Sequence, residues 1–169
     1  QDKALCRLAA RFALSIACCE RWEDIFFAHT PGSAWDQRGF VPSIAAWDCA
    51  LILDLCGEWF TPVGRDLILK RLAYDAHGPM CQAVWKWEYM FYTNQLAWIA
   101  PARLYALLVL EQTMPSRQEP HPRPPSRVAP HTDDAWHNLQ ENLSRCLLAD
   151  GGYLEGPMYF SWVARQAAL

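Results

Sequence analysis

Apolar positions recur at helical spacing along most of the chain. Between residues 3 and 19, Leu5, Leu8, Phe12 and Ile16 share one face with Ala and Ser between them, which predicts an amphipathic helix with that stripe turned to the core. Pro31-Gly32-Ser33 and an aromatic loop with Trp35 and Phe40 follow. A second helix is expected from Ser43, as its cap, to Cys56, with Gly57 as its stop. Ile44, Trp47, Leu51 and Leu55 mark one face of it. Ala45, Ala46, Ala50, Ile52 and Leu53 leave so little polar surface that it should be mostly surrounded by protein. Thr61-Pro62 is a start signal, and the third helix runs to about Asp75 through Leu67, Ile68, Leu72 and Tyr74, antiparallel to the second.

His77-Gly78-Pro79 reads as a break. Trp85, Trp87, Tyr89, Phe91 and Tyr92 then nearly alternate, which fits a short strand or an aromatic loop; a partly helical lead-in to the next element is favoured. A strongly apolar helix covers roughly 101 to 112, and Pro101 either starts it or kinks a helix begun at Thr93-Asn94. Residues 115 to 131 are proline-rich and read as an exposed extended loop. Thr132, with Asp133 and Asp134, should cap the next helix, whose buried stripe is Trp136, Leu139, Leu143 and Leu147. In Asp150-Gly-Gly-Tyr-Leu-Glu-Gly-Pro-Met-Tyr159, Gly151 and Gly152 turn the chain, Pro157 restarts a helix, and Tyr159 sits about one turn inside it. The fold class is all-α, built from successive antiparallel helix hairpins. Heavily apolar inner helices suit a ring of helices, although pattern alone does not separate a toroid from a bundle.

Composition narrows the function classes. A chain of 169 residues supports one core and is marginal for two domains. A formal net charge of −3 gives no global field for nucleic acid or acidic lipid. No apolar run reaches the ~18 residues of a membrane span, since Asp48, Asp54 and Arg103 interrupt the nearest candidates. Seven cysteines without a C-x-x-C or paired Cys/His spacing read as reduced core residues, and no metal or cofactor is assigned. The chain opens at Gln1 without a signal-peptide pattern and stops at Leu169 within an apparently continuing helix, so it reads as a piece cut at both ends.

Two stretches carry a resemblance. Tyr92-Thr-Asn-Gln-Leu-Ala-Trp98, with the apolar helix ending Leu107-Leu-Val-Leu-Glu111, resembles a segment of the heparinase II/III-like polysaccharide lyases. The stretch from Asp150 to Tyr159 is similar to that family's D-G-G-x-x-E-G-x-x-Y segment, and the helices at 43 to 75 resemble its paired upstream helices. The resemblance implies that residues 1–169 are part of an incomplete (α/α) toroid, truncated at both ends, with the family's C-terminal β-sandwich domain absent. It implies an acidic, uronate-containing polysaccharide as substrate, cleaved by β-elimination. The substrate carboxylate must first be neutralised by donors that do not take the C5 proton, and the resemblance gives that role to Asn94. It gives Tyr159 the role of base and acid; with an ordinary pKa of about 10, this phenol needs a nearby cation to act near neutral pH.

Some relatives carry a histidine beside the asparagine, where this chain has Gln95. Further histidines and any structural metal are expected from the sandwich domain, so this chain alone should be inactive. The resemblance implies a periplasmic or secreted protein, whereas reduced cysteines leave the cytoplasm open. Gln95, Glu155, Trp98 and Arg103 are the candidate substrate contacts, with Lys86 beside Arg103, and Trp85 and Trp87 as further stacking walls. Each has a plainer reading. Asn94 caps a helix, Glu155 is a first-turn carboxylate on a helix dipole, Tyr153 is packing, the cations are solvated and the tryptophans are core. Two other functions fit the pattern. One is a glycoside hydrolase using acids among Asp48, Asp54, Asp150 and Glu155; the other is a non-catalytic helical carbohydrate-binding or scaffold domain.

Overall fold

The computed structural model describes residues 2–22, 39–86, 88–113 and 128–167. Pro31-Gly32-Ser33, Trp35, Trp87 and the loop expectation over 115–127 lie outside the described residues, as do the side chains of Trp85 and Lys86. The fold is all-α, with helices α1 (Lys3–Ala17), α2 (Phe40–Cys56), α3 (Pro62–Arg71), α4 (Gly78–Lys86), α5 (Asn94–Thr113), α6 (Ala129–Cys146) and α7 (Pro157–Ala167). A 3₁₀ turn, Gly57–Trp59, follows α2, a π-turn, Leu72–His77, joins α3 to α4, and a second 3₁₀ turn, Glu88–Tyr92, leads into α5. No strand occurs among the described residues.

Helix α5 is the axis of the packing. It touches α2, α6, α7 and the π-turn, and its Leu96, Ile99, Ala100, Ala106 and Val109 join the main core. The helix begins at Asn94 and Pro101 lies inside it, so Pro101 does not start it. Against α5 lies α2, which buries small residues (Ala45, Ala46, Cys49, Ala50) toward α1 and α5. Phe40–Trp59 is long and apolar enough to cross a membrane by length and composition alone. Its small-residue face is packed into the core and it carries Asp48 and Asp54, which fits a core helix.

Several expected faces and boundaries differ in the structure. In α1 the buried residues are Cys6, Ala10, Ala13 and Ala17, while Leu5, Leu8 and Phe12 are exposed, Phe12 at 61 %. The small side chains let α1 approach α2 closely: the Cys49 thiol reaches the Ala13 carbonyl at 3.8 Å. Close approach of backbones has displaced the larger stripe from the interface. Ile44 and Leu55 of α2 are likewise exposed, so that helix is less enclosed than its composition suggests. Ser43 lies inside α2 instead of capping it, its hydroxyl donating back to the Gly39 carbonyl.

The chain does not break at His77-Gly78-Pro79. Helix continues through these residues because the π-turn that ends at His77 widens the backbone ahead of Gly78 and Pro79. Pro79 lacks an N–H and its ring would strike the carbonyl four residues back in a regular α-helix; a π-turn relieves both. Thr61 does cap α3, accepting from the Gly64 N–H at 3.1 Å. Helix α6 begins at Ala129, before the expected Thr132 cap, because Pro130 occupies its first turn, where a missing N–H costs nothing. Residues 129–131 are therefore helix, not loop, and Val128 is buried. On α6, Leu139 is buried but Trp136 and Leu147 are exposed, with Ala135, Asn138, Asn142 and Cys146 inside.

All seven cysteines are free thiols; Cys18 and Cys19 are exposed and the others buried. Burial pushes the Cys49 thiol up to about 12, which fits an inert core residue.

Candidate functional site at the start of helix α5

The corner between α6 and α7 is a miniature hairpin. Helix α6 ends at Cys146, Leu147 pairs with Tyr153 in an isolated bridge, and Leu148 and Gly152 close the turn with an N–H···O bond of 2.8 Å. The Asp150 carboxylate accepts from the Gly152 N–H at 2.9 Å. Gly151 and Gly156 hold φ of 83° and 92°, a region that favours glycine; Gly156, not Gly152, is the second such residue. The Leu154 N–H satisfies the Cys146 carbonyl at the end of α6 (2.9 Å). Pro157 then opens α7, as expected.

This corner reaches across to α5. The Glu155 carboxylate accepts the backbone N–H of Asn94, the first residue of α5, so the two sequence stretches meet directly. A carboxylate there satisfies one of the helix's orphan donors and faces the positive end of its dipole. Asn94 is 9 % exposed, and Gln95 and Trp98 beside it are half-buried. Beneath the corner, Tyr153 packs with Ala97, Cys146 and Val163. Burial, the Cys146 thiol and the Glu155 charge hold its phenol above the ordinary range, so Tyr153 stays protonated and is packing.

Tyr159 is 38 % exposed on the first turn of α7. Its ring meets Trp162 edge-on at 6.0 Å, and Trp162 meets Trp98 of α5 edge-on at 5.8 Å. Tyr159, Trp162 and Trp98 thus form a partly exposed aromatic row from α7 to α5. Among the described residues, no hydrogen bond or cation is placed on the Tyr159 hydroxyl.

Arg103 does not join this group. It lies nine residues beyond Asn94, about 14 Å along α5 and on the opposite side of the helix. Its side chain is fully buried, and Nη2 donates to Asp134 Oδ2 of α6 at 2.7 Å. The guanidinium is buried and paired, with the exposed part of the pair on Asp134, so it is not an open contact for a substrate. Around it lie His77, Cys81 and His131: the two histidine rings are 5.1 Å apart, and Cys81 Sγ is 3.4 Å from His77 Nε2. Burial, followed by the charges of Arg103 and His131, lowers His77 to about 4.

Two residues not singled out in the sequence support the site. Asn142, fully buried on α6, donates through Nδ2 to the carbonyls of Met90 (3.3 Å), Phe91 (3.1 Å) and Thr93 (3.0 Å), fixing the turn that delivers Asn94. An amide among Leu139, Leu143 and Cys146 on the buried side of a helix was the available signal. Trp162, on the turn after Tyr159, completes the aromatic row. Arg145 stacks on Tyr92 (4.8 Å) and pairs with Glu141, next to the same turn. Comparison with protein-family models, curated proteins and solved structures finds no match to this chain.

Proposed function

We propose that the chain is the helical part of a polysaccharide lyase of the heparinase II/III-like type, acting by β-elimination on a uronate-containing glycan. The observation that carries the reading is the bond between the Glu155 carboxylate and the Asn94 N–H. It joins the two separate stretches that resemble the family's motifs. The row Tyr159–Trp162–Trp98 supports it, since partly exposed rings suit stacking against sugar faces. The contacts of Asn142 with Thr93 and of Asp134 with Arg103 run in opposite directions along α5 and α6, as in the helix pairs of an (α/α) toroid.

In this reading the Asn94 and Gln95 amides donate to the substrate carboxylate and make the C5 proton acidic. Tyr159 takes that proton and returns one to the leaving glycosidic oxygen. The cation that this phenol requires comes from outside the described residues, from the substrate-covering β-sandwich of the whole protein. The test is the ultraviolet absorbance of the unsaturated uronate product on heparan-type and alginate-type chains. In the protein carrying both domains, Tyr159→Phe should lose turnover with little change in affinity, and Asn94→Ala should fall about 10²-fold or more in rate. Full activity of Tyr159→Phe would overturn the assignment. The absence of a described partner on the Tyr159 hydroxyl favours a second reading, a glycan-binding helical domain, in which both variants change affinity and no product absorbs.

A further inference from the structure

Helices α1 and α2 pack antiparallel, and two contacts set their register. The Cys49 thiol of α2 donates to the Ala13 carbonyl of α1 at 3.8 Å. Toward the other end, the Arg7 guanidinium of α1 lies over the ring of Trp59, just past the end of α2, 4.8 Å from its centroid. Seven residues make about two helical turns. Seven steps back along α1 from Ala13 and seven on along α2 from Cys49 therefore reach Cys6 and Cys56 on the same interface. Both are buried, at 6 % and 7 % exposure, and Ala10, Ala13 and Ala50 keep the helices close between the two levels. Facing Cα atoms of helices packed about 8–10 Å apart come within about 3.5–5.5 Å, since each lies about 2.3 Å off its axis. A disulfide spans such a separation.

The two thiols meet there. Burial, followed by a hydrogen bond with the Cys6 thiol, holds Cys56 above its ordinary range. The other buried cysteines have partners of a different kind. Cys49 has the Ala13 carbonyl, Cys81 has His77 Nε2 at 3.4 Å, and Cys146 has the Phe91 carbonyl at 3.6 Å. Cys18 and Cys19 are exposed. A single buried cysteine acts as a small hydrophobe. Two that face each other across a helix interface can also be joined by one oxidation without moving either helix.

We propose that Cys6 and Cys56 are a redox-active dithiol, oxidised by a small disulfide of the glutathione type to a bond that staples the start of α1 to the end of α2. The Cys6 thiolate attacks the small disulfide and releases one glutathione, and the Cys56 sulfur then displaces the second. The two protein thiols lose two protons and two electrons, and one glutathione disulfide becomes two glutathione thiols. Cys6 attacks first because it lies in the opening turns of α1, where a helix end opens before the rest, whereas burial and the Glu58 charge disfavour the Cys56 thiolate.

The test incubates the protein with glutathione disulfide, folded and in parallel during refolding from urea, then alkylates it with N-ethylmaleimide and digests it with trypsin. The peptide 4–7, which carries Cys6, should be joined to the peptide 39–65, with Cys56 in the bond and Cys49 alkylated. Dithiothreitol should release it. The linked protein should melt about 10 °C above the reduced one, because the bond closes a long loop. Cys6→Ala and Cys56→Ala should each lose the link and the shift, while the double variant Cys18→Ala, Cys19→Ala should keep both. The wild-type peptide map decides the matter whether or not a variant folds. No link in either sample, a bond to Cys49 instead, glutathione retained on both cysteines, or an unchanged melt of the linked protein would each overturn the proposal.

Discussion

Removing the Glu155 carboxylate should unfasten the start of α5 from the α6–α7 corner. The bond to the Asn94 N–H is at once a helix cap, a hydrogen bond to a charged acceptor and a dipole interaction. Taken singly these are worth about 1, about 1.5–3 and about 0.3–1 kcal/mol. They describe one contact and do not add. Glu155 is half-buried, so solvent replaces part of what is lost, and Glu155→Ala should cost about 2 kcal/mol. Glu155→Gln keeps an acceptor oxygen without the charge and should cost about half as much. Urea denaturation followed by circular dichroism, at unchanged slope, reads both values; by heat the alanine variant should melt about 4–8 °C lower. Because the donor is backbone, Asn94→Ala should leave the Glu155 effect intact within about 0.5 kcal/mol in a double-mutant cycle. A loss below about 0.5 kcal/mol for Glu155→Ala, or equal losses for Ala and Gln, would refute the cap.

Three further outcomes follow from the interior. His77 is held near 4 against an ordinary 6.5, so the unfolded chain binds the proton more readily; its contribution is complete above about pH 6.5 and lost as pH falls toward 4. The full displacement is worth about 3 kcal/mol, and about half that once screening at a partly exposed ring is allowed for. His77→Gln should therefore flatten stability between pH 6.5 and 4, and an unchanged acid limb in urea melts would count against it. Measured the same way, Asn142→Ala should cost about 2 kcal/mol by removing the buried amide donor that the carbonyls of Met90, Phe91 and Thr93 share, although Met90 keeps the Thr93 N–H; a cost under about 1 would mean that water replaces the amide. Asp134→Ala should cost about 3 kcal/mol by stranding the buried Arg103, more than Arg103→Met, which leaves a carboxylate that water can reach; the reverse order in thermal melts would place the guanidinium in solvent.

The helical class and the corner were legible because they depend on local chemistry. Thr61 and Pro62 start a helix, Pro157 restarts one, and Gly151 allows backbone that other residues resist, although the second such residue is Gly156 and not the expected Gly152. What size and hydrophobicity could not show was which side of a helix meets its neighbour. On α1 the larger stripe, Leu5, Leu8 and Phe12, lost to Cys6, Ala10, Ala13 and Ala17, because close helix approach rewards small side chains through many backbone contacts. Gly78-Pro79 misled for a similar reason: the π-turn that accommodates it spans Leu72–His77, directly before it, and leaves no signature in the dipeptide. Asn142 carried a readable anomaly, a polar residue on an apolar face. The three carbonyls that it serves lie some fifty residues earlier, beyond any local pattern.

The position of Glu155 also constrains how the start of α5 can serve a lyase. A free helix N-terminus attracts an anion by itself, and a uronate carboxylate would be drawn to it. Here Glu155 already holds that place, so the dipole is spent on a side chain of the protein and its charge repels a second carboxylate. Under the proposed lyase reading, neutralising the substrate falls to the side-chain amides of Asn94 and Gln95, which must address the carboxylate away from the cap. If the proposed lyase reading holds, Glu155→Gln should weaken the fold while easing entry of the uronate, lowering stability and KM together. A structural residue remote from the sugar would lower stability alone, and a residue contacting a sugar hydroxyl would raise KM. The sign of the KM change thus decides whether the corner shapes the substrate's electrostatics or only carries the helix.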